Sequence, residues 1–154
     1  MATIVANGCF DLLHKGHRRC LAEAKRLGGH LNHLIVAINS DESARNLKAS
    51  KWGPKYPLNS QGVRAMALHE YADQVLIFDT EQMLHEIIEF AMPCIIVKGP
   101  DYLGRESLVT GSDIAPVLIL DCPETEEVRI LKRSVYSVGE KPSHADLNRQ
   151  SPKP

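Results

Sequence analysis

The stretch Ile4-Val5-Ala6-Asn7-Gly8-Cys9-Phe10-Asp11-Leu12-Leu13-His14-Lys15-Gly16-His17 decides the fold. A short apolar run ends in a glycine turn, and a helical pattern begins where two histidines stand three residues apart. The first strand is read over Thr3–Asn7 and the first helix from Gly16 to about Leu27, with Leu21, Ala24 and Leu27 at helical spacing and Gly28-Gly29 as its stop. A strand delivered through a glycine turn onto a helix start is a phosphate-handling layout. The free backbone N–H groups and the positive dipole end of the helix both favour an anion there. His14 and His17 share one helical face, so both rings can address the same group.

The same alternation continues. Leu34-Ile35-Val36-Ala37-Ile38 is an unbroken apolar strand, the pattern of burial on both faces of a parallel sheet. Ser40 or Asp41 caps a helix expected to run to about Leu47. Residues 48–60 read as a long loop carrying Lys48, Lys51 and Lys55, and Ser60 caps a helix to about Tyr71. Gln74–Phe78 is a strand, and Thr80 caps a helix with Met83, Leu84, Ile87, Ile88 and Met92 at core spacing. Cys94–Val97 and Pro116–Leu120 are the last strands, 103–114 is a helical or loop segment, and a final helix runs from Glu124 to about Ser134. Strands alternating with helices predict an α/β fold, a doubly wound five-stranded parallel sheet of Rossmann-like type. Ligands bind such sheets outside the carboxyl ends of the strands. Residues 7–17, 39–55, 98–102 and 121–128 all fall there.

Composition narrows the class. The 154 residues carry 18 Lys and Arg against 19 Asp and Glu, a formal net charge of −1, which excludes a basic stripe for nucleic acid. The length suits one domain, read as 1–138, followed by a polar tail at 139–154 rich in Pro, Ser, Lys and Asn. No apolar run is long enough to span a membrane and the N-terminus lacks a signal-peptide pattern, so a cytoplasmic protein is expected. The four cysteines, at 9, 20, 94 and 122, are too scattered for a disulfide framework. Cys9, His14, His17 and Cys20 cluster locally but lack the second ligand pair of a zinc site.

The pattern Gly8-x-Phe10-Asp11-x-x-His14-x-Gly16-His17 resembles the signature of the cytidylyltransferase-like nucleotidyltransferases. The resemblance runs from about Ile4 to Leu120. Within the group the chain looks most like the nucleotidyltransferase domain of ADP-heptose synthases, with glycerol-3-phosphate cytidylyltransferases as further relatives. Val36-Ala37-Ile38-Asn39-Ser40-Asp41, Leu47-Lys48, Pro57 to Arg64, Val97-Lys98-Gly99-Pro100-Asp101-Tyr102 and Gly111-Ser112 resemble further family segments. The likeness implies transfer of a nucleoside monophosphate from ATP or CTP to a phosphorylated acceptor, such as a sugar 1-phosphate, with release of pyrophosphate. It implies His14, His17 and a mobile-loop Lys48 as catalytic. It assigns Gly8, Cys9, Phe10, Gly16, Arg64, Lys98, Gly99, Asp101 and Thr125 to nucleotide and phosphate binding. Mg²⁺ is expected through the substrate phosphates, with Asp101 on the ribose or near the metal, and a homodimer is expected from relatives of this fold. Asp11 is read as tying down the turn, and Trp52 either packs its loop or stacks on a base.

One segment departs from the family. Where a Ser-Thr-Thr-like run opens the final helix, this chain has Cys122-Pro-Glu-Thr-Glu-Glu-Val-Arg129. Only Thr125 offers a hydroxyl, while Glu124, Glu126 and Glu127 place negative charge where phosphates are expected. The segment threads differently, a metal bridges the carboxylates, or triphosphate binding is weakened, with Arg129 or Arg133 available to compensate. Two other functions stay open: a CTP-dependent transferase acting on a small alcohol phosphate or phosphonate, and a non-catalytic nucleotide-binding regulator.

Overall fold

A computed structural model describes residues 2–27, 29–122 and 124–136. The tail expected at 139–154 and the glycine stop at Gly28 lie outside the described residues.

Five parallel strands form one sheet: β1 (Thr3–Gly8), β2 (His33–Asn39), β3 (Gln74–Phe78), β4 (Ile95–Lys98) and β5 (Val117–Ile119). Their spatial order is β3-β2-β1-β4-β5. The helices are α1 (Lys15–Arg26), α2 (Asp41–Trp52), α3 (Gln61–Leu68), α4 (Glu81–Ala91) and α5 (Glu126–Tyr136). Two short 3₁₀ turns, Pro100–Tyr102 and Glu106–Leu108, occupy the stretch before β5. The doubly wound parallel sheet is thus the observed architecture.

The apolar run of β2 is explained by its two buried faces. Ile4 and Ala6 of β1 and Leu34, Val36 and Ile38 of β2 pack with Leu21 and Ala24 of α1 and Leu68 of α3. The alternate residues Val5, Ile35 and Ala37 turn the other way, onto Leu84 and Ile88 of α4, with Phe78 and Val109. A smaller cluster of Cys9, Ala44, Tyr56 and Tyr136 sits at the carboxyl end of the sheet and seats α2 and α5 there.

Local chemistry sets the helix ends. Ser40, Ser60 and Thr80 each accept a backbone N–H three residues on, the expected caps. The loop expected at 48–60 is corrected: α2 continues through Lys48 to Trp52, because nothing breaks it before Gly53, whose φ of 92° ends it. α3 stops at Leu68, short of Tyr71, and the last helix begins at Glu126, after Thr125 rather than at Glu124. α1 ends at Arg26, where buried Asn32 donates to the carbonyls of Ala24 and Lys25.

Gly111 is fixed by both backbone and space. Its φ is 90°, and a Cβ there would stand 2.7 Å from Ile88 Cδ1 and 2.9 Å from Ile96 Cδ1. Gly111→Ala is expected to destabilise the fold by about 2 kcal/mol or more, combining a left-handed penalty with overpacking. Urea unfolding checks this: the midpoint falls while the denaturant slope stays constant.

Candidate active site

The connection from β1 leads to β2 on one side, whereas β4 lies on the other side of β1 and leads on to β5. The crevice between their carboxyl ends is the switch point at which open α/β sheets take ligands. The segment from Gly8 to His17 crosses it.

Three devices hold that segment. Phe10 has a φ of 52°, uncommon for a residue with a side chain, and it swings the chain from β1 toward α1. Its ring occupies the space above Gly8, where a Cβ would sit 3.1 Å from Phe10 Cε2, and it meets His17 edge-on at 5.1 Å. Buried Asp11 accepts the backbone N–H groups of Leu58 and Asn59, both at 2.8 Å, and the Tyr136 hydroxyl at 2.5 Å. It therefore ties down the turn, as expected. Arg64 is the third device. Its guanidinium donates to the carbonyls of Cys9 (2.9 Å), Asn39 (2.8 Å) and Asn59 (3.0 Å), and pairs with Asp41 at 2.8 Å. Its side chain is wholly buried, and its bonds join the ends of β1 and β2.

The histidines are set by the same local geometry. His14 caps α1: its Nδ1 accepts from the N–H of Gly16 at 3.1 Å and of His17 at 3.4 Å. Gly16 makes room for this cap, since a Cβ there would lie 3.0 Å from His14 Cε1. In the neutral ring the proton therefore sits on Nε2, and that atom is buried with no hydrogen-bond partner. His17 Nδ1 donates to the Leu12 carbonyl at 3.0 Å. The two rings stack with centroids 3.8 Å apart and planes inclined by 22°.

The surrounding charge is positive. Burial, then His14, Lys132 and Lys48, push the His17 pKa down to about 3, the Leu12 carbonyl opposing them. Burial and Lys132 also lower His14, opposed by Glu124. Burial, then Lys48, lowers Lys98 to about 8. Lys98 Nζ donates to Asn7 Oδ1 at 2.9 Å and lies 4.6 Å from the centre of the Tyr102 ring. Asn7 Nδ2 is a second buried donor with no partner. Unspent donors among crowded cations are an environment that an anion relieves.

The remaining expected residues are distributed around this centre. Lys48 comes from α2 rather than from a loop, yet it acts electrostatically on both His17 and Lys98. Cys9 is buried, its Sγ directed at Asn39 Oδ1 at 3.4 Å. Gly99 precedes the 3₁₀ turn in open space, and Asp101 on that turn is exposed. Thr125 is exposed and spends its hydroxyl on the N–H of Val128 at 3.3 Å, as the cap of α5. Trp52 packs against Tyr136, with centroids 5.5 Å apart. Beside the cluster a cavity of about 260 Å³ is lined by Asn39, Ser43, Asn46, Leu47, Asp79, Thr80 and Glu81.

Sequence reasoning missed Asn7 and Lys132. Asn7, the last polar residue before Gly8 on a strand of known direction, was available as a signal. Lys132 pairs with Glu124 across eight residues, a distance that only the path of the chain between Cys122 and α5 determines.

The sequence profile of the family described as "Cytidylyltransferase-like" matches residues 5–134. The chain belongs to that family. Its class is therefore that of the nucleotidyltransferases. The chain is 47% identical over 113 residues to the "Bifunctional protein HldE" of Campylobacter curvus, covering 72% of this chain and 22% of that protein. It is 43% identical over 124 residues to the protein of the same name from Campylobacter jejuni subsp. jejuni, covering 79% of this chain and 25% of that one. The chain thus spans about a quarter or less of the length of these curated relatives. Among solved structures it superposes on a "lipopolysaccharide core biosynthesis protein" from Thermoplasma volcanium with a TM-score of 0.62 and 25% identity, covering 80% of this chain and 99% of that chain. A protein of unknown function from Archaeoglobus fulgidus shares the fold at a TM-score of 0.58 and 16% identity, covering 79% and 90% of the two chains.

In the free protein the His17 ring is expected to stay neutral, with its proton on Nδ1, far below the usual histidine midpoint. Imidazole nitrogen shifts followed from pH 8 to pH 4 check this. A midpoint near 6.5 contradicts the buried geometry. The unfolded chain takes up this proton near pH 6.5 and the folded chain only near 3. The His17 contribution to stability is therefore lost as pH falls through that window.

Proposed function

We propose that the chain transfers a nucleoside monophosphate from ATP or CTP to a phosphorylated acceptor of the sugar 1-phosphate class. The observation that carries this reading is the buried, unpartnered Nε2–H of His14, stacked with His17 and ringed by lysines at the switch point. An acceptor phosphate oxygen attacks the α-phosphorus in line. The new P–O bond forms as the bond to the bridging α–β oxygen breaks, and pyrophosphate departs with that oxygen and its electron pair. No covalent intermediate on the protein is needed, so catalysis is positioning and charge stabilisation.

His14 donates to an α-phosphate oxygen at no protonation cost, because its neutral ring already holds the proton on Nε2. His17 is held neutral until an anion arrives, then charges and stabilises the transition state. Lys48 and Lys98 offset the growing charge of the leaving pyrophosphate. Gly99 leaves space for close approach, and Asp101 stands on the rim for a ribose or for Mg²⁺. Mg²⁺ would enter as the companion of the triphosphate and neutralise phosphate charge, while Asp11 already spends its carboxylate on Leu58, Asn59 and Tyr136. The cavity beside Lys48 offers amides, hydroxyls and two carboxylates, a lining suited to the hydroxyls of a sugar.

One further observation supports the acceptor class: the likeness to ADP-heptose synthases, which the identity of 43–47% to the HldE proteins expresses. A homodimer is the assembly we propose with it. Pyrophosphate release with Mg²⁺, ATP or CTP, and a panel of sugar 1-phosphates and small alcohol phosphates tests the reading. Release is expected with one nucleotide and one acceptor class. His17→Ala is expected to lower kcat about 100-fold or more, the effect of losing one transition-state donor. Release only with CTP and a small alcohol phosphate reassigns the acceptor. Tight nucleotide binding without any release makes the chain a binder instead.

A further inference from the structure

Glu124 is half-buried just before α5, and its carboxylate meets Lys132 Nζ at 2.6 Å. The side chains are 28% and 13% exposed, so the pair is partly withdrawn from water. It stands beside the histidines. Lys132 acts electrostatically on both His14 and His17, and Glu124 on His14. The segment that carries Glu124 lies over the first turn of α1, where the Cys122 carbonyl oxygen would be 3.5 Å from a Cβ on Gly16.

The other acidic groups of the segment are disposed differently. Glu126 turns to Arg129 at 3.4 Å, and Glu127 is exposed. Thr125 uses its hydroxyl on the helix it caps. Burial works against the charge of Glu124, yet the hydrogen bond and charge of Lys132, with His14 and Lys51, hold its carboxyl below the usual range. One carboxylate therefore remains ionised beside the histidine pair, held against Lys132.

We propose that Glu124 is an internal stand-in for phosphate: it holds Lys132 beside the histidine pair in the free protein, and the β,γ-phosphates of the nucleotide displace it and take Lys132. This deepens the transferase reading and rests on it for the identity of the nucleotide. Glu124 offers Lys132 a single carboxylate, and burial works against its charge. A polyphosphate offers several charged oxygens to Lys132 and to the unpartnered His14 donor together, and charge-assisted bonds of that kind are the stronger ones. The exchange makes Glu124 a gate on triphosphate affinity and Lys132 a phosphate ligand.

The test uses the full chain and inorganic tripolyphosphate, with affinity read by calorimetry. Glu124→Gln is expected to tighten binding about fivefold and Lys132→Met to weaken it by about the same factor, the scale of one such ion pair. In the double variant the gain from Glu124→Gln is expected to disappear. Should transfer be found, the triphosphate KM falls in Glu124→Gln and rises in Lys132→Met. Weaker binding in Glu124→Gln, with a fall in Tm matching that of Lys132→Met, makes the pair a structural clamp and overturns the proposal. A gain that persists without Lys132 also overturns it, because it reduces Glu124 to general repulsion. The binding measurement contains no acceptor, so a chain that shows the exchange but releases no pyrophosphate sinks the transferase reading and leaves this one standing.

Discussion

A guanidinium sealed inside the protein holds the site together. Arg64 reaches from α3 to the carbonyl ends of β1 and β2, and its remaining charge is met by Asp41 at the start of α2. Burying a charge is tolerable only when its hydrogen bonds are met, and these are. The bonds fix where β1 ends, and hence where the turn at Phe10 begins and where α1 starts. Asp11 adds the complementary negative anchor, gripping residues 58–59 and the last residue of α5. The histidines inherit their positions from this frame of two buried charges.

The electrostatics follow from the same frame. Around the turn it fixes stand cations of α2, β4 and α5: Lys48, Lys98 and Lys132. The groups that titrate below their ordinary values are His17, His14 and Lys98, with burial as the leading cause. Perturbed groups that converge on a switch point single this crevice out as the candidate functional centre.

Most of the fold was legible because it rests on periodicity and caps. Ser40, Ser60 and Thr80 are capping residues by chemistry, and the apolar run of β2 has no other stable place than a doubly covered sheet. The histidine turn was legible as well, since its residue types and spacing admit few alternatives. What stayed hidden depends on distance through space. Lys48 looked like part of a loop because Lys-Ala-Ser-Lys-Trp is weakly patterned, although nothing in it breaks a helix before Gly53. The direction of Arg64 was hidden because it is set by three carbonyls contributed from elsewhere. The acidic run at 124–127 looked uniformly hostile to phosphate. In the structure its members part company, one to Lys132, one to Arg129 and one to solvent.

The stacked histidines carry a thermodynamic consequence. Two imidazoles 3.8 Å apart repel each other when charged, so the pair admits protons one at a time. At neutral pH the free site holds His17 in its neutral form. In the proposed transfer an arriving polyanion reverses that preference, and the proton it demands comes from the surrounding buffer. The heat of nucleotide binding then contains the ionisation enthalpy of whichever buffer supplied the proton. Part of the measured heat then belongs to the buffer, and part of the apparent affinity to the pH, rather than to any contact between protein and ligand.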